Sequence, residues 1–176
     1  MSSAPVVFPP LPWTNQDIVL YHGTVDLHVA SILKGTILTG KGRTHRDFGP
    51  GFYTTTKLRQ AHTWAGEIAD SQPETIAAVI KIILPREDLA GLDTLAFVSG
   101  DFGAKDFWSF VHYCRNGATN HKRVPAGYFD VVYGPVAAFW NQRMIIADAD
   151  QISFHTAAAE KILNKQSNLA RRRRVV

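Results

Sequence analysis

The chain has 176 residues, a length that suits one domain with a substantial buried core. Hydrophobic residues make up 45% of it and charged residues 19%, which excludes a disordered or fibrous protein. The formal net charge of +4 comes from four arginines at 171–174, because without them 15 basic residues stand against 15 acidic ones. The neutral body argues against a nucleic-acid-binding fold. The single cysteine, Cys114, excludes an internal disulfide and a cysteine-based zinc cluster.

The two ends of the chain are predicted to lie outside the domain. Residues 1–16 are proline-rich and lack both a basic start and an apolar run of signal-peptide length, so we expect an extended lead-in. Residues 165–176 are expected to form a basic, disordered tail, with a localisation or polyanion-binding signal as the alternative. No apolar stretch approaches the roughly 18 residues of a membrane span. We therefore expect an intracellular protein, in the cytoplasm or, if the arginine run is a signal, in the nucleus.

The intervening domain, residues 17–164, mixes strands and helices. Apolar patterning predicts strands at 17–22, 52–55, 75–84, 129–133, 142–147 and 151–155. Helical spacing predicts helices at 26–34, 56–69, 104–115 and 156–163. Three polar residues are predicted to cap helices, namely Asp26, Thr56 and Thr156. The run at 75–84 is continuous enough for a central strand, and Gly134-Pro135 is expected to separate two later strands.

Two short motifs carry the chemistry. The sequence Leu-Tyr-His-Gly-Thr at 20–24 joins His22 to Gly23, and Asp-Phe-Gly-Pro-Gly-Phe-Tyr-Thr-Thr at 47–55 joins Tyr53 to Gly51. Glycine has no side chain to block a ligand, so backbone amides and a flat ring can approach it together. This combination is typical of nucleotide sites, although a histidine at a strand end is often purely structural.

The loop between the two motifs is basic. It contains Lys41, Arg43, His45 and Arg46. Such a loop suits an anionic ligand and equally suits a solvated surface.

The order of these motifs resembles the ADP-ribosyltransferase superfamily, specifically the His-Tyr-Glu branch that contains the poly(ADP-ribose) polymerases. Residues 48–53 and 60–65 resemble the second motif of that branch and the helix after it. Residues 129–136 and 150–156 are similar to a smaller family of the superfamily, known only as a domain of unknown function. The resemblance implies an α+β fold, a split β-sandwich of two small sheets with flanking helices, closing around NAD+ as substrate.

The resemblance also implies roles for individual residues. His22 would bond the adenosine ribose, Gly23 would offer its backbone to the nicotinamide carboxamide, and Thr24 would lie beside the adenosine. Tyr53 would stack on the nicotinamide ring, and Trp64 would either stack on the same ring or pack in the core. The remaining expected NAD+ contacts are Arg46, Gly51 and Phe52.

Two positions depart from the polymerase pattern. Ala61 stands where that pattern has a serine that binds the carboxamide, and Gln151 stands where it has a glutamate. A carboxylate there would stabilise the positive charge that develops on the ribose, whereas glutamine supplies only a hydrogen bond. Strand alternation points Asp148 and Asp150 away from the face that carries Gln151, unless a bulge reverses it.

His155 would share the face of Gln151. It is a second candidate for the chemistry, with a structural hydrogen bond as the more ordinary role.

The sequence thus predicts a mono-ADP-ribosyltransferase in which His22, Tyr53 and Gln151 act on NAD+ and no metal takes part. Polymer elongation is disfavoured, because it is associated with the missing glutamate. An NAD+ glycohydrolase serving as a toxin or defence effector, and a catalytically weak NAD+-binding module, are the alternatives. The acceptor could be a protein, a nucleic acid or a small molecule, and no membrane partner or oligomeric state is indicated.

Overall fold

The computed structural model describes residues 16–98, 105–124 and 127–175, which form an α+β fold of two small sheets and six helices. The predicted lead-in lies almost wholly outside the described residues. The strands are β1 (Ile18–Val25), β2 (Phe52–Thr54), β3 (Ala77–Leu84), β4 (Thr94–Ala96), β5 (Val131–Phe139), β6 (Met144–Phe154) and β7 (Arg173–Val175). The helices are α1 (Asp26–Leu33), α2 (Leu58–Asp70), α3 (Arg86–Ala90), α4 (Lys105–Arg115), α5 (Ala157–Leu163) and α6 (Gln166–Leu169).

The two sheets are linked through the backbone as well as through the core. The first has the order β1-β3-β7 and the second β2-β6-β5-β4, with only β4 and β5 parallel among the paired strands. A bridge joins them, in which Tyr21 and Thr55 exchange backbone hydrogen bonds of 2.8 and 2.9 Å. His22 and Tyr53 therefore lie on either side of the junction.

Three apolar clusters hold these layers together. The main core packs α1 and α5 against the strands and includes Leu20, Ile80 and Phe154. A second cluster around Phe48 and Val132 holds α4 against β5. In the third, Ala61, Ala65 and Val79 let α2 approach β1 and β3 closely. The third cluster places the helix that carries Trp64 beside the strand that carries His22.

The prediction of a central strand at 75–84 is confirmed, but the prediction of a break at Gly134-Pro135 is wrong. Strand β5 runs through both residues. Pro135 lies beyond the last residue of β5 that pairs with β4, so its missing N–H leaves no ladder position empty on that side.

The two strands predicted at 142–147 and 151–155 are one strand, β6. Its pairing with β5 jumps from Pro135 opposite Asp150 to Ala137 opposite Ile145. Residues 146–149 therefore bulge, and Asp148 takes a left-handed φ of 56°.

One of the three predicted helix caps is confirmed. Thr156 Oγ1 accepts a hydrogen bond from the Ala159 amide at 3.3 Å. The other two are wrong, because their side chains bond elsewhere: Asp26 Oδ1 accepts from the Ile76 amide at 3.0 Å, and Thr56 Oγ1 donates to Asp150. Helix α2 consequently begins after Lys57, without a side-chain cap.

The C-terminal segment differs from the expected disordered tail. It forms α6 and β7, and β7 pairs with β3. Arg171 forms an ion pair with Asp17, and the buried Arg172 donates from Nη1 to the Ile32 carbonyl at 2.7 Å. The arginine run is thus part of the fold, because Arg171 bonds the residue directly before β1 and Arg172 bonds α1.

Within the described ranges, no helix is both long and apolar enough to cross a membrane.

Candidate functional site

A cavity of about 580 Å³ lies where the two sheets meet. Its volume falls in the range of about 300–1,000 Å³ that small-molecule sites occupy. All nine residues that the sequence nominates for the site line it: His22, Gly23, Thr24, Arg46, Gly51, Phe52, Tyr53, Trp64 and Gln151. Residues from both halves of the chain are thereby brought to one concave surface.

His22 presents a hydrogen-bond acceptor to the cavity. Its Nδ1 lies 2.7 Å from the Tyr53 carbonyl oxygen, which can only accept, so Nδ1 carries the proton. Burial lowers the pKa of His22 to about 4, against the opposing effect of the bond to Tyr53. The ring is therefore neutral at pH 7 and Nε2 has a free lone pair. Phe52 stacks under the imidazole at 4.2 Å between centroids and fixes its plane.

Tyr53 uses its hydroxyl to hold the loop before its own strand. The hydroxyl donates to the Gly49 carbonyl at 2.7 Å and accepts from the Phe48 amide at 3.0 Å. Burial raises the pKa of Tyr53 well above its usual value, so the phenol stays neutral. The hydroxyl is occupied within the protein, which leaves the ring face as the part of Tyr53 that a ligand can contact.

Two histidines fix the same loop, residues 47–51. His121 Nε2 donates to the Phe48 carbonyl at 2.9 Å, and His155 Nδ1 donates to the Pro50 carbonyl at 2.7 Å. Together with the Tyr53 hydroxyl, side chains from three parts of the chain bond three consecutive carbonyls. We call this arrangement the carbonyl clamp. It holds a glycine-containing loop that would otherwise be free to move.

His155 makes structural hydrogen bonds, which is the more ordinary of its two expected roles. It is 7% exposed, and its Nε2 accepts from the Ser153 hydroxyl at 2.7 Å. Burial and the neighbouring His121 lower its pKa to about 3. His155 is therefore neutral and fully hydrogen-bonded.

Gly23 is required by a neighbouring helix. A Cβ at this position would lie 2.3 Å from the Ala61 carbonyl oxygen and 3.0 Å from the Ala65 amide nitrogen. The missing side chain thus makes room for α2, whereas the sequence suggested room for a ligand. Ala61 also lines the cavity, with no polar side-chain atom to offer.

Trp64 lies at the edge of the cavity and outside the core. Its side chain is 40% exposed, and the Arg46 guanidinium lies 4.8 Å from its ring centroid. Arg46, Lys41 and Arg43 all line the cavity and bring positive charge to it. The basic loop thus faces a cavity, and an anionic ligand could be held there.

Gln151 lines the cavity but is only 7% exposed, and its amide nitrogen is engaged by two acceptors. Its Nε2 donates to Asp47 Oδ2 at 2.7 Å and to the Pro135 carbonyl at 2.9 Å. Asp47 in turn accepts from Arg115 Nε at 2.7 Å and from the Ala137 amide at 2.8 Å. The acid nearest to Gln151 is therefore Asp47.

The two acids considered from the sequence lie elsewhere. Asp148 is 75% exposed and forms an ion pair with Lys57 at 3.1 Å. Asp150 accepts from Thr55 Oγ1 at 2.6 Å and from the Thr56 amide at 2.8 Å. A bulge is present in β6, but it brings neither acid to Gln151.

Asp47, Arg115 and Gln60 are cavity residues that sequence reasoning missed. Gln60 exchanges hydrogen bonds with the backbone of Asp150 at 2.8 and 3.1 Å, which ties α2 to β6. Asp47 and Arg115 are 68 positions apart, so no local pattern links them. A usable signal was the acid directly before the Phe-Gly-Pro-Gly turn.

A protein-family comparison matches residues 18–145 to a family described as "Protein of unknown function (DUF3990)". The chain belongs to this family. The DUF3990 match contains His22, Tyr53, Trp64 and Asp47 and ends before Gln151. Neither the curated proteins nor the solved structures include a match to this DUF3990 chain.

Within the described residues of the DUF3990 chain, no group of three His, Cys, Asp or Glu side chains is arranged to hold a metal ion.

Proposed function

We propose that the protein is a mono-ADP-ribosyltransferase that uses NAD+ as substrate. One observation carries the proposal: His22, Tyr53 and Gln151 converge on one cavity at the junction of two small sheets. A split sandwich of the ADP-ribosyltransferase type would have its NAD+ site in such a place. We infer this split-sandwich fold for the protein as well.

The chemistry of the cavity supports NAD+ as the ligand. Neutral His22 offers Nε2 to a ribose hydroxyl, and the ring faces of Tyr53 and Trp64 suit a flat cationic nicotinamide. The positive charges of Arg46 and Arg43 in the cavity lining suit the diphosphate.

In the proposed reaction the bond between ribose C1′ and the nicotinamide nitrogen breaks, and its electron pair leaves with neutral nicotinamide. A lone pair of the acceptor forms the new bond to C1′, and the acceptor releases one proton. The protein contributes orientation and stabilisation of the developing positive charge. Gln151 lacks the charge of a carboxylate, so we expect slow turnover.

The test is to incubate the protein with NAD+ labelled in its adenylate and to follow nicotinamide and label separately. Transfer of label that requires an added protein, nucleic acid or small-molecule acceptor supports the transferase. Nicotinamide release at the same rate without acceptor would show an NAD+ glycohydrolase. Saturable NAD+ binding with no release over a long incubation would show a non-catalytic binding module.

Substitution of His22 should separate a ligand role from a structural one. We expect His22→Ala to lower nicotinamide release by about 2- to 12-fold, because one hydrogen bond contributes roughly 0.5–1.5 kcal/mol. Exposed His62 on α2 does not line the cavity, so His62→Ala is the matched control. A cooperative thermal unfolding transition in both variants would confirm that they are folded. Equal activity of His22→Ala and the parent would contradict the proposal.

A further inference from the structure

A buried carboxylate forms part of the cavity wall. Asp47 is 3% exposed, and Arg115 approaches its Oδ1 with both Nε and Nη2, at 2.7 and 2.5 Å. Its Oδ2 accepts from the Ala137 amide at 2.8 Å and from Gln151 Nε2 at 2.7 Å. The carboxylate is therefore charge-compensated, and one of its oxygens is directed at Gln151.

This contact fixes which end of the Gln151 amide is available to a ligand. The side-chain nitrogen has two hydrogens, and the two acceptors Asp47 Oδ2 and Pro135 O account for both. A rotated amide would put its oxygen against a carboxylate and a carbonyl, which is repulsive. The only hydrogen-bonding atom that the Gln151 side chain can offer in the cavity is therefore its carbonyl oxygen Oε1.

We propose that Asp47 is a positioning residue that fixes the Gln151 amide, so that Oε1 is offered as an acceptor to a hydroxyl of the bound ribose. The contact also polarises the amide, because a hydrogen bond to a charged acceptor draws electron density toward Oε1. Asp47 thereby gives Gln151 part of the negative character that a glutamate would have. That the ligand is a ribose rests on the proposed function. That Asp47 fixes the orientation of the Gln151 amide does not depend on it.

The same contact accounts for glutamine at position 151. A glutamate there would place a second carboxylate within hydrogen-bonding distance of Asp47 and of the Pro135 carbonyl. Two such carboxylates repel each other, and the pair is relieved when it shares one proton. In a Gln151→Glu variant, the protonated carboxyl group could donate to Asp47 and present its carbonyl oxygen to the cavity, as glutamine does.

Several ionisable groups near the pair keep one charge state between pH 5 and 8. Arg46 stays cationic, although burial lowers its pKa. The charge of Asp47 adds to the effect of burial in raising the pKa of Tyr53, and that of Cys114 to about 12, so both stay neutral. A titration in this range that appears in Gln151→Glu and not in the parent would therefore report on the carboxyl pair.

The first experiment tests the geometry without NAD+ turnover. The two Nε2 protons of Gln151 are assigned in a nitrogen–proton NMR spectrum by their loss in Gln151→Leu. We expect two resolved, slowly exchanging signals that shift and exchange faster in Asp47→Asn, because this variant loses the charge and replaces one of the two acceptor oxygens by a donor. Asp130→Asn is the matched control, since Asp130 bonds the Asp93 amide and Thr156 away from the cavity. Signals unchanged in Asp47→Asn, with the variant folded, would overturn the positioning role.

The second experiment tests the consequence for the reaction. We expect Asp47→Asn to lower kcat for nicotinamide release by about 10- to 100-fold, the scale of a misplaced catalytic group. The KM for NAD+ should change much less. Gln151→Glu should be impaired at pH 8 and regain activity relative to the parent as the pH falls toward 5. That acid recovery should disappear in the double variant Asp47→Asn/Gln151→Glu.

The outcomes separate the two proposals. Parent-like kcat in Asp47→Asn, or a Gln151→Glu enzyme with the same pH profile as the parent, would overturn the positioning role and leave the transferase intact. A parent protein that releases no nicotinamide would overturn the transferase and the ribose assignment. The NMR signals would then still decide whether Asp47 fixes the amide.

Discussion

At the scale of single residues, Gly23 was predicted to give a ligand access to the backbone, but the structure requires it for helix packing. The pairing of His22 with Gly23 suggested backbone access for a ligand. In the structure the missing Cβ faces the Ala61 carbonyl at 2.3 Å. Glycine is therefore the condition for α2 to pack on β1, and that packing carries Trp64 to the cavity.

Replacement of Gly23 should accordingly destabilise the whole fold. We expect Gly23→Ala to lower the free energy of unfolding by about 1–3 kcal/mol, because α2 must move away from β1 to admit the methyl group. Gly66 lies in α2, and a Cβ there would meet nothing within 4 Å. Gly66→Ala should therefore be neutral or stabilising by up to about 1 kcal/mol. Urea unfolding compares the two, and equal effects would contradict this explanation.

Gln151 marks the limit of what the sequence can say about the site. Its position on the cavity could be predicted from motif order and strand alternation. Its contact with Asp47 could not, because the two residues are 104 positions apart and meet only when the loop before β2 packs against β5 and β6. The alternation rule correctly separated Asp150 from Gln151, and no rule based on near neighbours pointed to Asp47.

At the scale of elements, the carbonyl clamp makes the loop at 47–51 depend on neutral histidines. His155 donates from Nδ1 to Pro50 and accepts at Nε2 from Ser153. The pKa of His155 is about 3 in the folded protein, below the ordinary value of 6.5. The unfolded chain thus binds a proton that the folded chain does not, and folding stability must fall as the pH drops below about 6.5.

We expect this dependence to be measurable by urea unfolding at pH 7.5 and pH 5.5. His155 should contribute a loss approaching about 1.4 kcal/mol per pH unit below 6.5. His155→Gln removes this titration, so its stability should vary less with pH than that of the parent. His62→Gln, at an exposed position, should keep the parental dependence. A His155→Gln profile parallel to the parent would contradict the assignment.

Elements with a strong local pattern were predictable, and those shaped by distant contacts were not. Helices α1, α4 and α5 and strand β3 lie within a few residues of their predicted bounds. The break expected at Gly134-Pro135 failed because β5 has a partner on only one side there. Asp26 and Thr56 failed as caps because each side chain bonds a residue from another part of the chain.

At the scale of the whole molecule, the C-terminal strand β7 completes the first sheet as its edge strand. Without β7, one edge of β3 would present unpaired backbone groups from Val79 to Lys81. Val175 packs beside the cluster formed by Ala61, Ala65 and Val79. The segment that composition marks as a basic tail is thus tied to the strand at the centre of the sheet.

Deletion of residues 171–176 should therefore lower stability by about 1–3 kcal/mol, in the range of a single lost structural feature. The double substitution Arg173→Ser/Arg174→Ser removes two exposed charges while the backbone pairing of β7 remains, and it should melt close to the parent. Thermal unfolding compares the three proteins. A truncated chain with the same melting temperature as the parent would show that β7 contributes little to stability.

The carbonyl clamp also bears on the thermodynamics of ligand association. A loop that is ordered only when a ligand arrives must lose its backbone entropy at that moment, which weakens binding. Here the carbonyls of Phe48, Gly49 and Pro50 are already bonded by side chains from elsewhere in the fold. Most of that entropy is lost during folding, so a ligand should meet a preformed wall and bind with only a small unfavourable entropy from this loop.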